Sequence, residues 1–255
     1  MQMQDGNVLP VSAVIIASNA AETLPLCLQS LRGRVREIVV VINDCTDDTR
    51  KIAESFGARI IEHPWKGFGE QRNFAASQAH EAWLLCIDSD EEVTPELYAS
   101  AEAFFKNPLC EQTTACFVKR INRQFGRWCS VDRSLFLIKK EAVHWEGSVH
   151  ERACFHGQTQ ILRGYLRHYT EKNVLHALEK NVRYARIRAV DYAKKYSQFG
   201  LMMKCLMHPS LNFFSFYLRK GLFLKGFAGF YVSVMQAFFC FLKYLLALEL
   251  KRKDG

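Results

Sequence analysis

Four apolar runs alternate with amphipathic stretches over the first ninety residues, and no other feature limits the possible folds so tightly. The runs are VSAVIIAS (11–18), EIVVVIN (37–43), ARIIEH (58–63) and AWLLCID (82–88). They are aliphatic with little polar alternation, as strands buried on both faces of a sheet require. Between them, ETLPLCLQSL (22–31) places Leu24, Leu28 and Leu31 on one helical stripe. TDDTRKIAESFG (46–57) reads as a helix capped by Thr46 or Asp47 and stopped by Gly57, and GEQRNFAASQAH (69–80) reads as another. Strands and helices alternating at this spacing predict right-handed βαβ units: an α/β fold with a mostly parallel sheet flanked by helices. Ligands of such sheets bind beyond the carboxyl ends of the strands.

The fourth run ends abruptly in acid. WLLCIDSDEE (83–92) sets Asp88, Asp90, Glu91 and Glu92 directly after a buried strand. Carboxylates crowded this way repel one another, so a cation or a set of hydroxyls is expected among them. An isolated Asp88-Ser89-Asp90 would read as a solvated turn, but at the end of a parallel strand it reads as a ligand site. One carboxylate can accept hydrogen bonds from a ribose while the other binds Mg2+ or Mn2+, and such an ion would hold a diphosphate. Farther on, TPELYASAEAFF (94–105) predicts a helix capped by Thr94, and TACFVKRIN (114–122) and SLFLIKK (134–140) predict strands. LHALEKNVRYARIRAVDYAKKY (175–196) predicts an amphipathic helix.

The chain has 255 residues, 49% of them hydrophobic and 24% charged, which suits a folded protein and excludes a disordered one. Its net charge of +8 is uneven: residues 1–162 carry 17 Lys+Arg against 21 Asp+Glu, and residues 163–255 carry 17 against 5. A basic rear half predicts an anionic partner for that half alone. In it, GFAGFYVSVMQAFFCFL (226–242) runs 17 residues without a charge between Lys225 and Lys243. A helix of that length spans about 25 Å, short of the ~30 Å of hydrocarbon in a bilayer. Basic flanks and a bulky stripe of Phe227, Tyr231, Val234, Phe238 and Phe241 favour a helix lying at the membrane surface over a core helix or a true span. The division expected is a catalytic domain over 1–165 and a basic helical, membrane-docking extension over 166–255. The nine cysteines are scattered and include no C-x-x-C pair, so reduced thiols are expected and a structural zinc site is not. MQMQDGNVLP shows neither a basic n-region nor an apolar h-region, so the protein is expected to stay on the cytoplasmic side.

VSAVIIASNAAETLPLCLQSL, EIVVVINDCTDDTRKIAESFGARIIEHPWKGFGEQRNFAASQA and WLLCIDSDEEVTPEL resemble successive blocks of the family 2 glycosyltransferases. WKGFGEQRN followed by DSDEEVTPEL is similar to the subgroup of bacterial lipopolysaccharide-core glucosyltransferases. The likeness covers about residues 8 to 98, with thinner support from VHWEGSVHE and the basic, aromatic tail. It implies a GT-A fold and inverting transfer of a hexose, glucose from a UDP-sugar in the subgroup, to a lipid-anchored oligosaccharide at the cytoplasmic face of the inner membrane. The enzyme would sit there peripherally, against an anionic surface.

Position by position, the resemblance implies that Asn19, Glu22, Asn43 and Asp44 surround the nucleotide base, that Arg72 faces the nucleotide, and that Asp88 and Asp90 hold Mg2+ or Mn2+, Asp88 also touching the donor. Ile42 departs from the pattern, standing where an aspartate is common. Inversion needs a carboxylate that takes the proton of the acceptor hydroxyl. The candidates are Glu151, Glu146 and Asp132, with Glu151 favoured because it follows His150 as an H-E pair; His150 itself would contact the metal or diphosphate. Arg133 would hold a phosphate or pair with Asp132. The rival reading is a non-catalytic, membrane-associated module that binds a nucleotide-sugar or a nucleic acid. Nucleic acid is not expected, because the basic residues alternate with bulky apolar ones and the strand-end acids would repel phosphates.

Overall fold

The computed structural model describes residues 8–147, 151–170 and 173–253. The chain forms two compact units, one of residues up to Ile121 together with Val131–His168, the other of Asn122–Ser130 together with Tyr169 onward. In the first unit the strands β1 (Leu9–Ala17), β2 (Val35–Ile42), β3 (Arg59–Glu62) and β4 (Trp83–Cys86) alternate with the helices α1 (Leu24–Leu31), α2 (Thr49–Ser55) and α3 (Phe68–Gln78). These strands run parallel in the order β3-β2-β1-β4. After β5 (Glu91–Val93), α4 (Pro95–Phe105) and the single turn α5 (Leu109–Gln112), the long strands β6 (Thr113–Gln124), β7 (Arg127–Lys139) and β10 (Gln158–His168) extend the sheet. The full order is β3-β2-β1-β4-β7-β6-β10-β5, with β7 antiparallel to β4 and β10 antiparallel to β5. The sheet is therefore mixed: parallel where the sequence shows βαβ units and antiparallel beyond them. A separate two-stranded ribbon joins β8 (His144–Glu146) to β9 (Arg152–Cys154).

Period-2 alternation along β1 explains how one strand serves two cores. Val11, Ala13, Ile15 and Ala17 pack with Leu24, Leu28 and Leu31 of α1 and with Leu97, Ala101 and Phe104 of α4. Val14 points to the other face, with Val39, Val41, Leu84 and Ala75 and Ala76 of α3. Each fully buried Leu or Ile contributes about 1.5–3 kcal/mol, which is why the strands need no polar alternation. At the amino ends of the strands, Glu37 ties three elements together: it accepts from Ser12 Oγ, from the His80 N–H at 2.8 Å and from Arg59 at 2.9 Å. The carboxyl ends are left for the site.

Helix starts differ in detail from expectation. α2 begins at Thr49 with Asp48 as N-cap, not at Thr46 or Asp47. Asn19 Oδ1 instead takes the Thr46 N–H at 2.8 Å, while Asp47 accepts the N–H groups of Thr49 and Ala21, each at 3.0 Å. Gly57, at φ +72°, ends the helix as the sequence suggests. Thr94 caps α4 by accepting the Leu97 N–H.

The second unit contains α6 (Val174–Lys195), α7 (Gln198–Phe214) and α8 (Phe227–Lys253), with a π turn (Ser215–Arg219) and a 3-10 turn (Leu222–Lys225) between the last two. α6 and α7 start on side-chain caps, Asn173 accepting from His176 N–H and Ser197 from Gly200 N–H. The charge-free stretch 226–242 understates α8, which runs 27 residues through Lys243 and Glu249, about 40 Å. Charges bound the apolar segment but not the helix, because Lys and Glu are good helix formers. By length and composition α8 passes for a membrane-crossing helix. Gly229 lets it start there, since a Cβ at that position would lie 1.8 Å from the Leu222 carbonyl oxygen.

Candidate active site

Val14 pairs with Cys86 in the parallel ladder, so the chain leaves β4 level with the last turns of β1 and sends Asp88 out at the carboxyl edge of the sheet. Each of the four crowded acids there finds a cation of the protein's own. Arg72 Nη2 donates to Asp88 Oδ1 at 2.6 Å, and His168 Nε2 lies 3.3 Å from Asp90 Oδ2. Arg120 Nη1 lies 3.2 Å from Glu91 Oε1, and Arg167 Nη1 lies 3.3 Å from Glu92 Oε1. The crowding that seemed to demand a bound cation is thus relieved by side chains. Glu91 is the unexpected member. It is only 2% exposed, turns back under the loop, and accepts the Asp88 N–H at 2.9 Å. It is a structural brace for Asp88, which the sequence alone does not reveal.

The electrostatics follow from this pairing. Burial pushes Asp88 up, but the charge and hydrogen bond of Arg72, aided by His168 and Arg120, outweigh it and hold Asp88 below the usual carboxylate range. Glu91 is pushed up to about 7 by burial and by the neighbouring Asp88 charge, against the pull of His168 and Arg120. Burial lowers His168, yet its contact with Asp90 and the Glu91 charge raise it overall. Burial pushes the Cys86 thiol up to about 12, so this strand-end cysteine offers no thiolate nucleophile.

A second carboxylate reaches Asp88 through one guanidinium. Arg72 Nε donates to Glu151 Oε1 at 2.9 Å while its Nη2 holds Asp88. The geometry comes from the GEQRN segment of α3, where Gly69, Arg72 and Asn73 share a face at helical spacing. Asn73 pairs twice with the Trp145 backbone, donating to its carbonyl and accepting its N–H, each at 2.8 Å. The Gly69 N–H donates to the Gly147 carbonyl at 3.1 Å, and a Cβ on Gly69 would come within 2.6 Å of that oxygen. The ribbon of β8 and β9 is therefore docked on α3, and Glu151 stands directly ahead of β9. Arg72, Asp88, Glu151, Arg120, Arg133 and Trp145 line one cavity of about 220 Å³.

The structure brings three of the expected residues, Arg72, Asp88 and Glu151, into contact, with Asp90 beside them against His168. His150 lies outside the described residues. Asn19, Asn43 and Asp44 sit at the ends of β1 and β2, Asn19 and Asp44 with positive φ, and Asn19 spends its side-chain oxygen on Thr46. Glu22 is exposed ahead of α1, and none of these four lines the cavity around Asp88. Of the other carboxylates, Glu146 is exposed on β8, and Asp132 is held by Arg120 at 2.9 and 3.0 Å. Arg133 does not pair with Asp132; it lies 4.1 Å over the Phe117 ring and faces the cavity. Sequence reading missed His168, Arg120 and Glu91. His168 carries no local signal; the register that sets it opposite Glu91 is what reveals it.

Among the described residues no group of three or more His, Cys, Asp or Glu side chains is placed to hold a metal ion. Asp88 and Asp90 offer carboxylate oxygens at this edge, and an ion such as Mg2+ or Mn2+ would need a diphosphate and water for its remaining ligands.

The model of the family described as "Glycosyl transferase family 2" matches residues 12–168, the span that contains every residue of this cavity. An uncharacterized glycosyltransferase of Rickettsia typhi is 27% identical over 96% of this chain and 88% of its own length. The lipopolysaccharide core biosynthesis glycosyltransferase LpsC of Rhizobium meliloti is 28% identical over 92% of this chain and 90% of its own. Among solved structures, residues 1–349 of TarS from S. aureus, in complex with UDP-GlcNAc, superpose with a TM-score of 0.50 at 16% identity, covering 97% of this chain and 92% of that one. This likeness supports the GT-A type of fold.

Proposed function

Because the chain belongs to glycosyl transferase family 2, we propose that it transfers a hexose, glucose from a UDP-sugar, with inversion onto the inner core of a lipopolysaccharide or a related lipid-linked oligosaccharide. The observation that carries this reading is the single guanidinium of Arg72 joining Asp88 to Glu151. It couples the carboxylate on the donor side to one able to serve the acceptor. The similarity to LpsC along nearly the whole chain supports the acceptor class. The UDP-GlcNAc complex of the structurally similar TarS supports a uridine donor.

In this reading Glu151 is the general base. It takes the proton of the acceptor hydroxyl as that oxygen attacks the anomeric carbon from the face opposite the diphosphate. The bond from the anomeric carbon to the diphosphate oxygen breaks, and its electron pair leaves with UDP. Arg72 fixes the direction of Glu151, and Arg133, its ring contact with Phe117 holding it at the cavity wall, faces the developing negative charge. Mg2+ or Mn2+, held by Asp88 and Asp90, would supply further positive charge for the departing diphosphate. Asn19, Asn43, Asp44 and Glu22 are assigned to the nucleotide end, and His150 to the metal or diphosphate.

The test is incubation with a panel of UDP-sugars and core-truncated lipopolysaccharides, read by mass. A gain of one hexose that disappears in Glu151→Gln supports the assignment. Binding of UDP with neither transfer nor hydrolysis in any combination would favour a non-catalytic binding module.

A further inference from the structure

One feature that the proposed chemistry leaves unused is an apolar face on α7. Phe199, Met203, Leu206, Met207, Leu211 and Phe214 recur at helical spacing and are all exposed, Leu206 at 73%. The 3-10 turn that follows presents Leu224 at 75% exposure. A contiguous apolar face of this kind on a soluble protein marks a docking surface. From residue 192 to residue 248 the chain carries seven Lys or Arg and no Asp or Glu. An anionic occupant fits that balance, whereas a second copy of this chain would set two such cationic surfaces against each other.

The cations are also placed for a headgroup. Lys204 Nζ lies 4.6 Å over the Tyr196 ring, and Lys243 Nζ lies 5.2 Å over Tyr192 and 5.1 Å over Tyr244. His208 joins them through a 3.0 Å contact with the Tyr244 hydroxyl. Burial and the charges of Lys204 and Lys243 push His208 down, as expected where cations converge. A tyrosine cluster thus carries two ammonium groups and an imidazole beside the apolar stripe.

α8 is poorly placed to cross a bilayer in this arrangement. Lys251 Nζ donates to the carbonyls of Ala193 and Tyr196 at 2.8 and 2.7 Å, pinning the end of α8 to the end of α6. Cys240, Tyr244 and Ala247 pack against Ala189, Tyr192 and Tyr196 of α6. A crossing by α8 would draw Arg186, Arg188, Lys194 and Lys195 of α6 toward hydrocarbon.

We propose that α7 and the following turn lie in the headgroup region of an anionic bilayer, with the tyrosine-mounted cations Lys204 and Lys243 taking a lipid phosphate, while α8 backs them through its buried Cys240, Tyr244 and Ala247. This builds on the proposed function only in that a lipid-linked acceptor has to be met at a membrane. The experiment needs neither donor nor acceptor: co-sedimentation of the full chain with vesicles of phosphatidylcholine alone or mixed with phosphatidylglycerol. The parent should bind the mixed vesicles, release from them in high salt, and bind pure phosphatidylcholine weakly. Leu206→Asp and Leu224→Asp should each weaken binding by about tenfold or more, with circular dichroism and UDP affinity unchanged. Lys204→Ala with Lys243→Ala should abolish the preference for phosphatidylglycerol, and inorganic phosphate should not displace the vesicles.

Absence of vesicle binding, equal binding to both vesicle types, or an undiminished Leu206→Asp would each overturn the proposal. So would Phe238→Asp on α8 losing binding while Leu206→Asp keeps it, or self-association of the parent in place of vesicle binding. Failure to turn over any UDP-sugar leaves these readouts intact, so the two readings fail separately.

Discussion

Arg72 and Glu151 stand 79 positions apart in the chain and meet at 2.9 Å, while the same guanidinium holds Asp88 at 2.6 Å. If Glu151 is the base, Glu151→Gln keeps the shape and hydrogen bonding but cannot accept the proton. Transfer should fall by about 100- to 10,000-fold. Affinity for UDP, measured by calorimetry, should stay near that of the parent.

Removing the cation should act on the other partner. EDTA should weaken UDP binding, and added Mn2+ or Mg2+ should restore it in the parent but not in Asp90→Ala. Calorimetric titrations in which EDTA leaves UDP affinity unchanged would remove the metal from this account.

The buried pair of Glu91 and Arg120 gives a stability test. Arg120→Met leaves Glu91 enclosed without its 3.2 Å partner, which should cost about 3–5 kcal/mol in denaturant unfolding. Combining it with Glu91→Gln should recover a large part of that loss, because the orphaned carboxylate is gone and only a neutral hydrogen bond to Asp88 N–H is left to serve.

Glu37 predicts an acid limb at the opposite end of the sheet. Burial pushes its carboxyl up, but hydrogen bonds from Ser12, the His80 N–H and Arg59 win and hold it below its ordinary value. A carboxyl depressed on folding stabilises fully above its unfolded pKa of about 4.3 and loses that contribution as pH falls through the folded value. The melting temperature of Glu37→Gln should therefore lie below the parent's at neutral pH, and the gap should start to narrow below about pH 4.3 and close only below the folded value. A gap that persists to the acid limit would contradict this.

Gly69→Ala tests the docking of α3 on the ribbon. The new Cβ would meet the Gly147 carbonyl at 2.6 Å, a contact that backbone has to move to relieve. The variant should lose transfer by more than its loss of thermal stability explains, because the ribbon it displaces contributes Trp145 to the cavity wall.

The parallel half of the sheet was legible because its strands are apolar on both faces and its helices carry an apolar stripe. The same logic located Asp88 and Asp90, since a strand end in such a sheet faces ligands. It could not show that Glu91 turns inward, because β5 is three residues long, two of them acidic, and nothing local marks it as a strand. Nor could it find His168 or Arg120, whose roles come from pairing across the sheet between segments far apart in the chain. α7 escaped notice for another reason. Its Phe199, Met203, Met207 and Phe214 look like core residues until the structure shows them exposed.

The ladder between β10 and β5 sets His168 opposite Glu91, Arg167 opposite Glu92 and Leu166 opposite Val93. Side chains on a strand alternate faces, so changes of length within β10 are sorted by parity. Adding or removing two residues keeps the face but sets a residue other than His168 opposite Glu91, whereas a change of one hands that rung to a neighbour that faces the other way. Drift in the loops ahead of β10 leaves this rung alone, but a length change inside the strand takes the imidazole away from its acids.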